Sequence, residues 1–175
     1  MSDMVLSSEA AIVDVECILA VDNKYLIKEL SVIDTISWAT QHWIFKHSAK
    51  TQNAKTRSVN RWLERHYHRL SLDYGDVEYE EIGRILNSLK FERIYVKGEQ
   101  KQKLISDFVP HVQVSNLEDW GCPRLDQLCS GDDVATLPLC IFHRDMDPKH
   151  CTFHKVFALR KLFKGLLRTD SFSKN

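Results

Sequence analysis

Residues 11–20 read AIVDVECILA and residues 25–33 read YLIKELSVI. The first run is β-prone, with the carboxylates of Asp14 and Glu16 set inside it. Asp22-Asn23, between the two runs, has the residue types of a turn. The second run alternates apolar and polar positions, as a half-buried strand does. Together they predict an antiparallel hairpin, and Trp43-Ile44-Phe45 supplies a short third strand.

Working outward, residues 48–57 (SAKTQNAKTR) read as a polar loop, and residues 59–70 as helical, with Trp62, Leu63, His66 and Tyr67 near helical spacing. Tyr74-Gly75-Asp76 reads as a turn. Residues 79–89 form an amphipathic helix with Ile82, Ile85, Leu86 and Leu89 on one stripe. Residues 91–96 read as a buried strand, 99–108 as a short helix closed by Pro110, 111–114 as a strand and 122–128 as a short helix. Residues 130–150 look irregular. A basic amphipathic helix follows over 152–167, with Val156, Leu159, Leu162, Phe163 and Leu166 facing inward. An antiparallel meander followed by strand–helix–strand crossovers predicts an α/β fold, a mixed sheet flanked by helices. The expected organisation is one domain over residues 10–168 and a polar tail over 169–175.

The chain has 175 residues, enough for one domain with a real core. Lys+Arg and Asp+Glu both number 24, which removes the simplest argument for nucleic-acid binding, a strongly basic chain. Asp3, Glu9, Asp14 and Glu16 occupy the start without a basic segment, so no signal peptide is read there. No apolar run approaches membrane-spanning length. The expected setting is intracellular, cytoplasmic or nuclear, neither secreted nor membrane-bound.

The element order resembles the DnaQ-like, DEDD exonuclease branch of the ribonuclease-H-like superfamily. That family carries Asp-x-Glu on its first strand, matched here by Asp14-Val15-Glu16. The strand Ile94-Tyr95-Val96 with its following helix corresponds to the family's second catalytic segment, and the last helix to its third. The departures lie in the remaining carboxylates. Lys97-Gly98-Glu99-Gln100-Lys101 stands where the family's second aspartate is expected, and His150 is followed five residues later by Lys155, not aspartate. Two-metal catalysis needs several carboxylates around cations about 4 Å apart, and ammonium groups remove ligands and repel the metal. A lysine beside Asp14 and Glu16 would therefore count against nuclease activity. A narrower resemblance is to the Maelstrom domain, an exonuclease-like fold without the usual catalytic set. Its zinc site is built from a Cys-x2-His and a later Cys before the last helix, as Cys140-Ile141-Phe142-His143 and Cys151 are arranged here.

Cys17, Cys122, Cys129, Cys140 and Cys151 make an odd set, four of them within a 30-residue stretch, which points to metal rather than a disulfide framework. Cys140 and His143 can reach one ion from a single turn. Cys151 adds a third ligand, and Cys122 is the expected fourth, giving a closed Cys3His set suited to structural Zn2+. Cys129, His150, His154 and Glu118 compete for that fourth place, and unrelated buried thiols are the ordinary alternative.

Lys97, Lys101, Lys155 and Arg160 are the expected phosphate contacts, meeting nucleic acid where metals would otherwise sit. A basic helix face is also commonly just solvated surface. Lys46, Lys50, Lys55 and Arg57 in the polar loop, and Trp38, His42 and Trp43 as stacking groups, are further candidates. The resemblances imply a catalytically degenerate domain that binds RNA or single-stranded nucleic acid, in small-RNA, transposon- or virus-related processes. The first alternative is an active 3′–5′ exonuclease using Asp14 and Glu16 with Mg2+ or Mn2+. The second is a protein–protein interaction scaffold.

Overall fold

The computed structural model describes residues 10–129 and 131–173. The opening stretch forms the expected hairpin. Strands β1 (Ala10–Leu19) and β2 (Tyr25–Asp34) pair antiparallel, and Asn23 takes the left-handed turn position at φ 65°. Strand β3 (Thr40–Lys46) continues the meander antiparallel to β2. Short strand β4 (Val77–Glu78) pairs parallel with β3, and β5 (Arg93–Val96) and β6 (Gln113–Asn116) extend the other side in parallel from β1. The result is a six-stranded mixed sheet in the order β4-β3-β2-β1-β5-β6.

A bulge in β2 decides which side chains face which layer. Glu16 pairs with Glu29, but Cys17 pairs with Ile27, so Lys28 is an extra residue. Side chains alternate along a regular strand, so Ile27 and Leu30 could not share a face without it. With it, Ile27, Leu30 and Val32 join one core, while Ile33 joins the other. Lys28 itself is fully buried, and its Nζ donates to the carbonyls of Phe45 (2.8 Å), Leu72 (3.0 Å) and Tyr74 (2.5 Å). It ties β2 to the end of β3 and to the 70–75 segment. Burial pushes its pKa down to about 8, against the pull of Asp73, Glu64 and Glu29.

The first core lies under α2 (Ile82–Ser88) and α3 (Glu99–Phe108), joined by Ile82, Ile85, Leu86 and Ile105. The second lies under the last helix and gathers Ile12, Ile33, Tyr95, Val156, Leu159 and Phe163. Each fully buried Ile or Phe contributes about 1.5–3 kcal/mol, so both faces of the sheet need their helices.

Several boundaries differ from expectation. Helix α1 (Ala54–Leu63) starts inside the stretch read as loop, because Asn53 and Thr56 form a reciprocal capping box (2.8 and 2.9 Å). It runs into a π-helical turn, Glu64–His68, closed by Arg69 at φ 57°. Helices α4 (Leu125–Leu128) and α5 (Asp132–Ala135) are single turns, the latter in a region read as irregular. Helix α6 (Thr152–Ser173) continues past the expected end at 167, so residues 169–173 are helical rather than a frayed tail. Gly75 allows the 70–76 segment to lie against β3, since a Cβ there would meet the backbone of Ile44, Phe45 and Lys46 at 2.7 Å.

Candidate functional site

Asp14 and Glu16 lie two residues apart on β1 and face α6. Asp14 sits just past the C-terminal end of parallel strand β5, where the sheet changes from parallel to antiparallel neighbours. Ligand sites of open α/β sheets form at such switch points. Here the place is filled from within the chain. Lys155, on the first turn of α6, puts its Nζ 2.6 Å from Glu16 Oε1 and 3.1 Å from Asp14 Oδ2. Lys101, on α3, reaches Asp14 Oδ1 at 2.6 Å. Gly98, at φ 116°, opens α3 and sets this approach; its N–H donates to Asn116 Oδ1 at 2.9 Å.

The charges compensate in pairs. Burial alone would raise the Asp14 carboxyl, but Lys101 and Lys155 overcome it and hold the group below its ordinary value. Burial alone would lower the Lys155 ammonium, but Asp14 and Glu16 hold it above its ordinary value. The remaining space is a cavity of about 150 Å3, lined by Asp14, Lys97, Lys101 and Lys155 on one side and by Leu125, Leu128 and Leu159 on the other.

Two of the four expected phosphate contacts are inaccessible. Lys155 is 2% exposed and committed to the two carboxylates. Arg160 is fully buried and serves the β2–β3 turn: its Nε donates to the Asp34 carbonyl (3.0 Å), its Nη2 to the Ile36 carbonyl (2.9 Å), and its guanidinium stacks on Trp38. Both therefore act inside the fold, Lys155 through ion pairing and Arg160 through its two carbonyl contacts. Lys101 and Lys97 reach the surface, the latter 3.7 Å from Glu118.

The second cluster lies one helical turn away. Glu29, Cys140, His143 and Cys151 are all buried, and their ligand atoms lie within 4.8 Å of one another. Three of the expected metal residues are thus brought together. The fourth member is Glu29 of β2, not Cys122. Cys122 is half-buried beside the second core, its thiol directed at its neighbour, the Pro123 carbonyl (3.7 Å). Cys129, His150, His154 and Glu118 also lie outside the cluster.

The surroundings orient each member. The Nε2–H of His143 donates to the His68 carbonyl at 2.6 Å, which leaves Nδ1 free to face Cys140 Sγ (3.0 Å) and Glu29 Oε2 (3.6 Å). A partner on the second ring nitrogen is what fixes a ligating histidine. Glu29 is held by His42 Nε2 (2.8 Å) and by the Thr152 N–H (3.4 Å). Cys151, directly before α6, accepts from the N–H groups of Cys140 (3.3 Å) and His154 (3.5 Å). A hydrogen bond from the Cys140 thiol holds Cys151 below its ordinary value and raises Cys140. Burial raises Glu29 against the pull of His42 and His143. Ionised together, two thiolates and a carboxylate in one dry site would need a cation to neutralise them. The set can hold a metal ion, and its sulfur–nitrogen–oxygen donors are compatible with zinc.

Sequence reading missed Glu29 because it looked like an ordinary polar position of an alternating strand. Its face is set by the bulge at Lys28, which leaves no clear mark in the sequence. The signal that was present is an acidic residue within a strand whose neighbours are buried. No protein-family model matches the chain, and no curated protein does. Among the described residues, no helix is long and apolar enough to cross a membrane.

Proposed function

We propose that the chain is a non-catalytic, exonuclease-like domain that binds RNA or single-stranded nucleic acid and is organised by a structural zinc ion. The observation that carries this reading is the seat of Lys155, with its ammonium between Asp14 and Glu16. A nuclease of this architecture would place a divalent cation against those same oxygens. The order of an antiparallel meander followed by parallel strands beside β1 supports the ribonuclease-H-like expectation. Zinc would be held by Glu29, Cys140, His143 and Cys151 and would tie the 140–151 segment to β2, contributing folding energy.

Nucleic-acid contact at this face rests on Lys97 and Lys101, since Lys155 and Arg160 are internal. The test has two arms. Wild type and Glu16→Ala should both show no Mg2+- or Mn2+-dependent cleavage of single-stranded RNA; cleavage abolished by Glu16→Ala would overturn the non-catalytic reading. A gel shift with single-stranded RNA should appear at low salt and weaken steeply as salt rises. No shift at low salt would favour the second reading, a protein-interaction scaffold.

A further inference from the structure

Charge is spread unevenly over this neutral chain. Residues 46–69 hold seven of its 24 basic side chains and one of its 24 acidic ones, Glu64. The stretch is therefore six charges positive and the rest of the chain six negative. All seven cations are exposed, and among the described residues none of them forms an ion pair. The stretch is centred on α1, whose buried side chains are two polar ones, Thr56 and Asn60. Asn60 accepts from the Leu19 N–H (2.7 Å) and donates to the Leu19 carbonyl (3.0 Å), which pins the helix to β1. The π-helical turn after it is held by the 143–150 segment: the His143 Nε2–H donates to the His68 carbonyl, and the His150 ring bonds the Tyr67 carbonyl. The cations thus stand on a surface whose backbone is fixed.

These charges oppose the helix that carries them. Lys55 and Arg57 stand in its first turn, where the macrodipole favours anions, and no acidic residue is there to offset them. Arg57 and Arg61 are four residues apart, a spacing at which like charges destabilise a helix. Arg65 repeats the spacing at the start of the π-helical turn. A helix with so polar a surface is ordinarily supported by pairs of opposite charge at that spacing, and α1 has none among its described residues. An anionic partner laid along this surface relieves all of these penalties together.

We propose that the surface of residues 46–69 is a track for single-stranded RNA, with Arg57, Arg61 and Arg65 as its phosphate contacts. Four residues of helix rise about 6 Å, so the three guanidinium groups follow one another along the helix axis and do not converge on a single anion. Guanidinium groups meet phosphate oxygens through bidentate, charge-assisted hydrogen bonds. Trp62 and Tyr67 lie among these arginines and are 52% and 43% exposed. Exposed aromatic rings beside a basic surface stack nucleobases, which an acidic polypeptide does not offer. The inference rests on the RNA-binding reading. It adds to Lys97 and Lys101 a separate surface that carries most of the phosphate contact.

The test is fluorescence anisotropy of a labelled single-stranded oligoribonucleotide with the full chain across a salt series. Wild type is compared with Arg57→Gln/Arg61→Gln/Arg65→Gln and with Lys97→Gln/Lys101→Gln. The arginine variant should bind at least tenfold more weakly at low salt, and lose more than the lysine variant does. Its plot of log affinity against log salt should be shallower by about 2, at about 0.7 for each single-strand phosphate contact removed. Its melting temperature, expected at or above that of the wild type because like charges are removed, is the folding control. Arg61→Gln alone, with a slope change of about 0.7, gives the reading if the triple variant melts early. A loss confined to the lysine variant overturns this surface and leaves the RNA-binding reading standing. Wild type that binds no RNA at low salt ends both. Polyglutamate that displaces the RNA at equal charge concentration overturns the choice of RNA and assigns the surface to an acidic polypeptide.

Discussion

Replacing Lys155 by Met probes the geometry most directly. The substitution keeps the apolar stem and removes an ammonium lying 2.6 Å from Glu16 and 3.1 Å from Asp14. The lysine is 2% exposed, so solvent screens this interaction little. Removing one partner of a buried ion pair costs about 3–5 kcal/mol, because the other charge is left uncompensated. At roughly 2–4 °C per kcal/mol for a chain of this size, the melting temperature should fall by roughly 6–20 °C. The pH dependence should change too. In the wild type the Asp14 carboxyl is held below its ordinary value, so its stabilisation is present above the unfolded value and lost as pH falls through the folded one. In Lys155→Met only Lys101 opposes the burial that raises Asp14. The Asp14 contribution should then fall, not rise, with pH between about pH 4 and 6, so the variant's overall slope in that window drops below that of the wild type. Adding Asp14→Asn and Glu16→Gln to the lysine substitution should recover most of the loss, since it removes the stranded charges. Urea unfolding across pH reads all three proteins. A loss under about 1 kcal/mol for the single variant, with the wild-type pH slope kept, would refute the placement of the ammonium.

Purified protein should carry about one equivalent of zinc, and Glu29→Ala and Cys151→Ser should each cut this below half, while Cys122→Ser leaves it intact. Metal analysis in which Cys122→Ser loses zinc and Glu29→Ala keeps it would reverse the ligand assignment. Gly75→Ala should destabilise by about 1–3 kcal/mol, because its Cβ would press on the β3 backbone at 2.7 Å; an unchanged unfolding midpoint would contradict that packing. Burial pushes His47 down to about 4, against its bond to the Ile27 carbonyl. A depressed histidine contributes stability that is complete above its unfolded pKa of 6.5 and lost as pH falls toward 4. The slope in that window should shrink in His47→Gln, and an identical slope would count against the buried neutral ring.

The elements legible in the sequence were those with a strong period or a clear stop. Helix α3 was expected over 99–108 and runs Glu99–Phe108. Pro110 closes it, and Gly98 supplies the positive φ at its start. The β1–β2 hairpin was legible because both strands carry continuous β-prone runs around Asp22-Asn23. Strand β4, two residues long, was not, because its pairing comes from Gly75 and Asp76 docking on β3 rather than from its own residues. Helix α1 was obscured by its polar surface; its start depends on the Asn53–Thr56 exchange, while the surrounding composition resembles loop. At the site, local spacing gave Cys140, His143 and Cys151, which are close in the chain. Glu29 lies more than 100 residues earlier and is brought in only by tertiary packing.

The two clusters are mechanically one. Cys151 and Lys155 stand four residues apart at the start of α6, joined by the hydrogen bond from the Lys155 N–H to the Cys151 carbonyl (3.1 Å). Across from them, Glu29 pairs with Glu16, and Ser31 with Asp14, on neighbouring strands. The Ser31 hydroxyl bonds that of Thr152 at 2.8 Å, between the two centres. One face of β1 and β2 thus carries three carboxylates in a buried strip. Left alone they would repel one another, and burial would drive them toward protonation. A metal ion at Glu29 and an ammonium at Asp14 and Glu16 are two ways of neutralising the same strip, and the first turn of α6 serves both. A cation held by Cys151 would fix where α6 begins and so help keep Lys155 between its carboxylates. Chelation should therefore reproduce part of the Lys155→Met signature, including the altered pH slope. Cys122→Ser, outside the strip, should not.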